Sequence, residues 1–94
     1  MKRKKPDPLN LRWTESHPDQ RWSTESRHGL IGSVCRDPAT FAHTEQFRGR
    51  AEDLMGNMEW QRGFLSLRQA QGWVERNLFN HEQRIFSLIR AGER

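Results

Sequence analysis

A helix start at Ser66 is the feature that most constrains how this chain folds. Ser66 and Gln69 have the spacing of a capping box, in which each side chain satisfies a free backbone N–H at the start of a helix. Apolar residues then recur every three or four positions, as on one face of a helix, at Leu67, Ala70, Val74, Leu78, Ile85 and Leu88. The pattern predicts a helix over residues 66–91, either continuous or divided in two at Asn80.

Upstream of Ser66 the apolar residues alternate with polar ones, which is typical of β-strands. Pro, Gly and Asp residues separate the alternating runs and favour turns there. The predicted strands are residues 9–13, 22–26, 30–36 and 58–65. Trp60 and Phe64 are expected on the same side of the last one.

Residues 37–57 allow two interpretations. Alternation from Thr40 to Phe47 predicts a strand, followed by a mobile connection from Arg48 to Asn57 that is rich in glycine and charge. Alternatively, Asp37 could cap a helix with Pro38 at its first position, and the apolar residues Phe47, Ala51, Leu54 and Met55 have helical spacing. We favour the strand.

Together these elements predict an α+β fold: a three- to four-stranded antiparallel β-meander packed against a C-terminal helix with a further helical extension. Residues 9–94 are expected to form this single domain, and residues 1–8 a disordered basic tail. Four Trp and five Phe residues supply most of the expected core, since each large ring buries on the order of 150–250 Å².

The formal net charge of +4 lies mostly in the tail. Lys2, Arg3, Lys4 and Lys5, less Asp7, carry +3, and the rest of the chain holds twelve Arg against eleven acids. Such a tail associates with nucleic acid or anionic surfaces, or it only improves solubility. The absence of lysine after Lys5 is typical of genes from GC-rich bacteria or phages.

A cytoplasmic location in a bacterial host cell is expected. Cys35 is the only cysteine, so no internal disulfide can form. No apolar run approaches the ~18 residues of a membrane span. Pro6, Asp7 and Pro8 follow the basic residues where a signal peptide would have its apolar stretch.

No arrangement of residues indicates catalysis, and we expect neither enzymatic activity nor a cofactor nor a metal. Cys35 and His43 could form a thiol–imidazole pair across a hairpin, but no third group that would orient them is evident. The four histidines lack the ligand spacing of zinc sites, and glycine-rich phosphate loops are absent.

One side of the predicted sheet would remain uncovered by the helix and could bind a partner. Its candidate binding residues are Arg12, Trp22, Arg36 and Arg62, together with Lys2, Arg3, Lys4 and Lys5 of the tail. Arginines beside aromatic rings suit phosphate contact and stacking, whereas in a second interpretation Trp22 is core and the arginines are solvated. Phe79, Phe86 and Ile89 are candidates for a dimer interface or a partner-binding helix.

The segment from Trp60 to Glu75, with a strand ending in Gly63-Phe64 and a helix opening at Ser66, resembles small phage and prophage proteins. These combine a β-meander with a packed helix, as do the AP2-like DNA-binding modules of integrases. Some anti-CRISPR inhibitors are similar in size and class. The resemblance implies a small protein of a phage or mobile element.

Two functions follow as expectations. The favoured one is an inhibitor or adaptor that docks on a host protein or nucleoprotein complex, as in anti-CRISPR counter-defence, because nothing in the predicted domain is specialised for nucleic acid. The alternative is a DNA- or RNA-binding accessory or regulatory protein that uses the basic tail and the sheet arginines. A homodimer is compatible with either.

Overall fold

The computed structural model describes residues 11–17, 21–37 and 46–92, which form an antiparallel sheet covered on one side by a helix. The strands are β1 Thr14–His17, β2 Arg21–Glu25, β3 Ile31–Arg36, β4 Phe47–Ala51 and β5 Gln61–Phe64, and the helix α1 spans Leu67–Gly92. Each strand pairs with the next in chain order. The predicted α+β class is confirmed, but the described residues contain five strands rather than three or four.

Strands β2 and β3 lie where the alternating pattern predicted them. A tight turn joins them, in which Gly29 N–H donates to the Ser26 carbonyl (2.9 Å) and Ser26 N–H to the Leu30 carbonyl (2.8 Å). Gly29 has a φ of 85°, a conformation that favours glycine because it lacks a Cβ. The local chemistry of this turn therefore sets the register of the hairpin.

The first strand begins at Thr14, later than the predicted strand over residues 9–13. Leu11 and Trp13 precede it and pack, half-buried, against the core. The indole N–H of Trp13 donates to Glu75 Oε2 of α1 at 2.8 Å. Because this contact holds the segment against the helix, pairing with β2 starts only at Thr14, opposite Ser23.

The predicted mobile connection from Arg48 to Asn57 is wrong at its start, because Phe47–Ala51 is a strand that pairs with both β3 and β5. The helix-facing positions of this strand include Gly49, so its apolar alternation is weak. The same pairing excludes the alternative helix from Phe47 to Met55. The rest of the strand predicted from Thr40 onward lies outside the described residues, apart from Gln46 and Phe47.

The predicted start of α1 is confirmed. Ser66 Oγ accepts a hydrogen bond from Gln69 N–H at 3.1 Å, and Gln69 Oε1 accepts one from Leu65 N–H at 3.0 Å. The glutamine thus satisfies the N–H of Leu65 rather than that of Ser66. The first bond occupies a backbone donor that the first helical turn leaves free, and the second ties the residue before the cap to the helix.

The alternative of two helices divided at Asn80 is excluded, because α1 is continuous. Asparagine in a helix interior costs less than about 0.7 kcal/mol relative to alanine. Tertiary contacts on the next turn offset that cost. His81 Nδ1 lies 2.9 Å from the Glu52 carbonyl oxygen, and Glu82 contacts Ser26 and His28.

The core forms where α1 crosses β3 and β4 at close range. Ala70, Val74 and Leu78 are fully buried, and their four-residue spacing places them on one stripe. A Cβ on Gly32 would lie 2.4 Å from a methyl carbon of Val74, and one on Gly49 2.9 Å from the other. The two glycines therefore permit the close approach of the helix. The sheet adds Trp22, Leu30, Val34 and Phe47 to this core.

The last part of α1 extends beyond the stripe that packs on the sheet. Glu82 is the last buried residue of the helix. Beyond it, Phe86, Leu88 and Ile89 are 53%, 66% and 47% exposed. Among the described residues there is no candidate for a membrane-spanning helix.

Candidate functional site

The two sides of the sheet differ because α1 covers only one. Gly32 and Val34 face α1, while successive strand residues point to opposite sides, so Ser33 and Cys35 face away from it. Strand register and side-chain contacts place further residues on this side. We call it the open face, and its described members are Arg12, Thr14, Arg21, Ser23, Glu25, Ile31, Ser33, Cys35, Asp37, Arg48, Arg50, Trp60 and Arg62.

The register of the strands sets the spacing of the arginines on the open face. Cys35 in β3 pairs with Arg21 in β2 and with Arg48 in β4, so these three residues form a row. In the next row Ser33 pairs with Arg50. Adjacent strands lie about 4.8 Å apart, which places the backbones of Arg21 and Arg48 roughly 10 Å apart. Arg48 and Arg50 follow each other at about 7 Å along β4.

Trp60 contacts two of these arginines. The guanidinium carbon of Arg48 lies 4.4 Å from the centroid of its ring, and that of Arg50 lies 4.5 Å from it. Arg48 Nε also donates to Cys35 Sγ at 3.2 Å, and Arg50 Nε is buried without a hydrogen-bond partner in the described structure. We call Arg48 and Arg50 the arginine pair. Both guanidinium groups lie over the Trp60 ring, and this contact limits the positions that the two side chains can adopt.

The charges at the centre of the open face are not neutralised by the described residues. No described carboxylate forms a salt bridge with Arg21 or the arginine pair. Arg62, by contrast, donates two hydrogen bonds to the buried Asp37, at 2.7 and 2.9 Å. These bonds and the negative charge of Asp37 raise the pKa of Arg62 above its ordinary value. Among the described residues, the open face therefore carries arginines without a carboxylate partner beside one bidentate ion pair.

A buried carboxylate lies on the opposite side of the sheet. Glu82 accepts hydrogen bonds from Ser26 Oγ at 2.5 Å and His28 N–H at 3.1 Å, and lies 2.5 Å from His28 Nδ1. Burial alone would raise the pKa of Glu82, but the bonds from Ser26 and His28 outweigh it and lower that pKa. Because the Ser26 hydroxyl contacts the carboxylate rather than the imidazole, His28 does not activate it as a nucleophile. The cluster ties the β2–β3 turn to α1.

Two of the predicted sheet residues lie on the open face and two do not. Arg12 borders an open polar groove of about 390 Å³ at the β1–β2 edge, and Arg62 pairs with Asp37 as described. The placement of Trp22 on the uncovered side is wrong: it is 9% exposed and packs edge-on against Phe47, with ring centroids 6.1 Å apart. Arg36 also lies on the helix side, its guanidinium 5.6 Å from the Phe47 ring centroid. Alternation alone does not reveal which side the helix covers.

The remaining predicted residues have different outcomes. Phe79 packs, half-buried, against the core of its own domain, which leaves Phe86 and Ile89 as the exposed members of the proposed interface. Several predicted residues lie outside the described part of the chain, namely Lys2, Arg3, Lys4, Lys5 and His43. Cys35 is buried. No group of three or more His, Cys, Asp or Glu side chains within the described ranges could hold a metal.

The arginine pair and Trp60 were missed as site residues. The prediction that Trp60 and Phe64 share one side is wrong, because Phe64 contacts Trp73 on the helix side, with ring centroids 5.8 Å apart. An irregular register between β4 and β5, with Gly63 at a φ of 91°, separates the two aromatic residues. Gly49 between the two arginines was the available signal, since a glycine can be the buried member of an alternating strand.

No protein-family model, curated protein or solved structure matches this chain. The resemblance of residues 60–75 to small phage and prophage proteins therefore stays a prediction. The geometry of the open face and of α1 is what supports a function.

Proposed function

We propose that this protein binds nucleic acid through the open face. The observation that supports the proposal is the position of Arg21, Arg48 and Arg50 on one side of the sheet without a described carboxylate partner. Arginine donates hydrogen bonds in a fixed planar fork that matches phosphate oxygens. A two-dimensional array of such side chains suits a ligand with repeated phosphates.

The distribution of the acidic residues strengthens the proposal. Glu75 bonds to Trp13, Glu82 to Ser26 and His28, and Asp53 to the backbone of its own turn. None of these three carboxylates is among the described residues of the open face. That face holds Arg12, Arg21, Arg48, Arg50 and Arg62 against Glu25 and Asp37, and this excess of positive charge gives it a positive potential.

This geometry reverses the order of the two functions expected from the sequence. Docking on a host protein was favoured because no part of the domain was specialised for nucleic acid. The position of three arginines on one face, without a described carboxylate partner, now favours nucleic acid as the ligand. The basic residues Lys2, Arg3, Lys4 and Lys5 would add salt-dependent attraction to the same ligand. The proposed role is binding rather than catalysis, inside a bacterial cell.

A pair of matched variants tests the proposal. Arg21→Ala/Arg48→Ala removes two charges from the open face, and Arg68→Ala/Arg76→Ala removes two from exposed positions on α1. Affinity for a fluorescent DNA duplex is measured by anisotropy over a range of salt concentrations. We expect only the first variant to lower the slope of log K against log salt, by about 2. No binding of the wild type at low salt, or equal effects of both variants, would contradict the proposal.

A second candidate function, docking on a protein, is supported by the exposed end of α1. Phe86, Leu88 and Ile89 form an apolar surface, and Arg84 and Arg90 lie on the same segment. Residues 83–92 contain no acid. Two copies would oppose like charges, so we propose an acidic partner with an apolar groove rather than a second copy. The inhibitor or adaptor role of the anti-CRISPR kind remains a proposal on this basis.

Light scattering and affinity capture test this second candidate. A monomer at high concentration would agree with a heterologous partner, whereas a dimer would show that a second copy covers the helix end. From a bacterial lysate, the wild type should retain a host protein that Phe86→Asp/Ile89→Asp loses and Arg76→Asp keeps. If the wild type and both variants retained the same host proteins, docking through the end of α1 would be ruled out.

A further inference from the structure

The position of Trp60 on the open face is not explained by packing in the main core. Five other described aromatic residues belong to the helix side or pack against the core there, namely Trp13, Trp22, Phe47, Phe64 and Trp73. Trp60 instead lies against two charged side chains. Its ring is half-buried, and two guanidinium groups lie 4.4 and 4.5 Å from the ring centroid.

A structured turn carries Trp60 to this place. The Asp53 carboxylate accepts hydrogen bonds from the N–H groups of Met55 (2.8 Å) and Asn57 (2.9 Å), and Gly56 has a φ of 81°. The bonds from Asn57 and Met55 outweigh the effect of desolvation and lower the pKa of Asp53, so the carboxylate stays ionised and holds the turn. Trp60 comes three residues after Asn57, the end of this turn, and directly precedes β5.

Stacking changes what the arginine pair can offer a ligand. An arginine on a surface loses conformational freedom when it binds, at a cost of about 0.5–1.5 kcal/mol per ordered side chain. Contact with the Trp60 ring removes part of that cost before the ligand arrives. Arg48 Nε contacts Cys35 Sγ, and Arg50 Nε is buried. No hydrogen bond between described residues involves the terminal nitrogens of either guanidinium group, so these nitrogens can donate to a ligand.

Apart from these hydrogen-bond donors, the described open face has few groups that could contact a nucleic acid. Ser33 and Cys35 lie on β3, between Arg21 and the arginine pair. Their residues are only 5% and 7% exposed, so their side chains cannot reach the edges of bases. Sequence-tolerant binding of single strands uses exposed aromatic rings on which bases stack. Trp60 is half-buried beneath the arginine pair, and no other aromatic side chain is found on the described part of the open face. These features favour contact with backbone phosphates over contact with bases.

We propose that Trp60 is a positioning residue that preorganises Arg48 and Arg50 as a clamp for the backbone phosphates of double-stranded nucleic acid. The inference rests on the proposed function of the open face. It adds to that function a ligand class, the duplex, and a role for a residue that does not itself touch the phosphate. Stacked guanidinium groups bind in a fixed geometry, which flexible lysines do not provide.

Substitutions of Trp60 test whether this residue positions the arginine pair or only covers the surface of the sheet. Trp60→Phe retains an aromatic ring, whereas Trp60→Leu retains apolar volume without π-electrons to attract the guanidinium groups. Anisotropy with a labelled DNA duplex, and with one of its strands alone, gives affinity and its salt dependence. We expect Trp60→Leu to bind the duplex about tenfold more weakly, and Trp60→Phe to recover most of this loss. Wild type should prefer the duplex over the single strand.

A second variant keeps the test decisive if Trp60→Leu unfolds. Arg48→Lys/Arg50→Lys preserves the net charge and leaves Trp60 in place, but it removes the planar groups that stack on the ring. We expect several-fold weaker duplex binding with unchanged circular dichroism. Equal affinity of this variant and wild type would show that charge alone suffices and would overturn the positioning role.

The outcomes distinguish the inference from the function on which it rests. If wild type binds neither duplex nor single strand at low salt, the proposed function fails. If it binds duplex and the folded Trp60→Leu variant binds equally well, the function stands and the role of Trp60 is wrong. Preference for the single strand would overturn the duplex as ligand.

Discussion

The two sides of the sheet use the same strands for different purposes. On the side toward α1, small and apolar residues pack closely, and Val34, Val74 and Leu78 are fully buried. On the open face, Arg48 and Arg50 remain without described carboxylate partners and stack on one tryptophan. The difference teaches that alternate positions of one strand can be constrained separately, one set by folding stability and the other, under our proposal, by binding.

The largest expected effect lies on the helix side. Leu78→Ala removes a fully buried side chain, and the loss of burial together with the resulting cavity should lower the free energy of unfolding by about 2–5 kcal/mol. Leu88→Ala, on the exposed end of the same helix, should change it by less than about 0.5 kcal/mol. Urea denaturation followed by circular dichroism measures both. Similar losses would mean that the end of α1 is packed in solution.

The next largest loss of stability is expected at Gly32, and its neighbour Ser33, which faces the other side of the sheet, is the control. A Cβ at Gly32 would meet Val74 at 2.4 Å, so Gly32→Ala should destabilise the fold by about 1–3 kcal/mol through overpacking. Ser33→Ala, one position along β3, should cost less than about 1 kcal/mol. Thermal unfolding of the two variants decides whether the helix approaches as closely as described. Equal melting temperatures would contradict that approach.

Glu82 provides a pH-dependent test of the helix side. Its pKa in the folded protein is lowered by Ser26 and His28 despite burial, so it lies below the unfolded value of about 4.3. The ionised carboxylate then stabilises the fold above that pH, and this contribution is lost as pH falls through the folded pKa. Wild type should exceed Glu82→Gln by on the order of 1 kcal/mol near neutral pH, with the difference shrinking below about pH 4. A pH-independent difference would oppose this assignment.

The smallest expected change in stability lies on the open face. Arg21→Ala removes an exposed side chain without a described carboxylate partner, and the free energy of unfolding should change by less than about 0.5 kcal/mol. Its effect should appear in duplex affinity instead. Denaturation measures the free energy of unfolding and anisotropy measures the duplex affinity, so both are determined on the same preparation. A large loss of stability would indicate that the arginine serves the fold.

The sequence predicted the elements with strong local signals. The cap at Ser66 and the strands β2 and β3 depend on short-range chemistry and were found. The strand β4 was missed because its helix-facing positions include Gly49, which carries no apolar side chain. The two-helix alternative at Asn80 arose because distant contacts, such as that of Glu82 with Ser26, are not visible in local propensities.

The candidate site was less predictable than the fold. Alternation shows which residues share a side of a strand, but it does not show which side the helix covers, and Trp22 was therefore placed on the wrong one. The position of Trp60 depends on an irregular pairing beside Gly63. The open face joins residues from separate strands, so its charge becomes apparent only once the register is known.

Nuclear magnetic resonance of the arginine side chains during titration with a DNA duplex tests the central claim most directly. Binding through the open face predicts that the Nε–H signals of Arg21, Arg48 and Arg50 shift, while those of Arg68 and Arg76 on α1 stay in place. Shifts confined to the helix arginines, or no shifts at low salt, would contradict the assignment of the open face as the nucleic-acid surface.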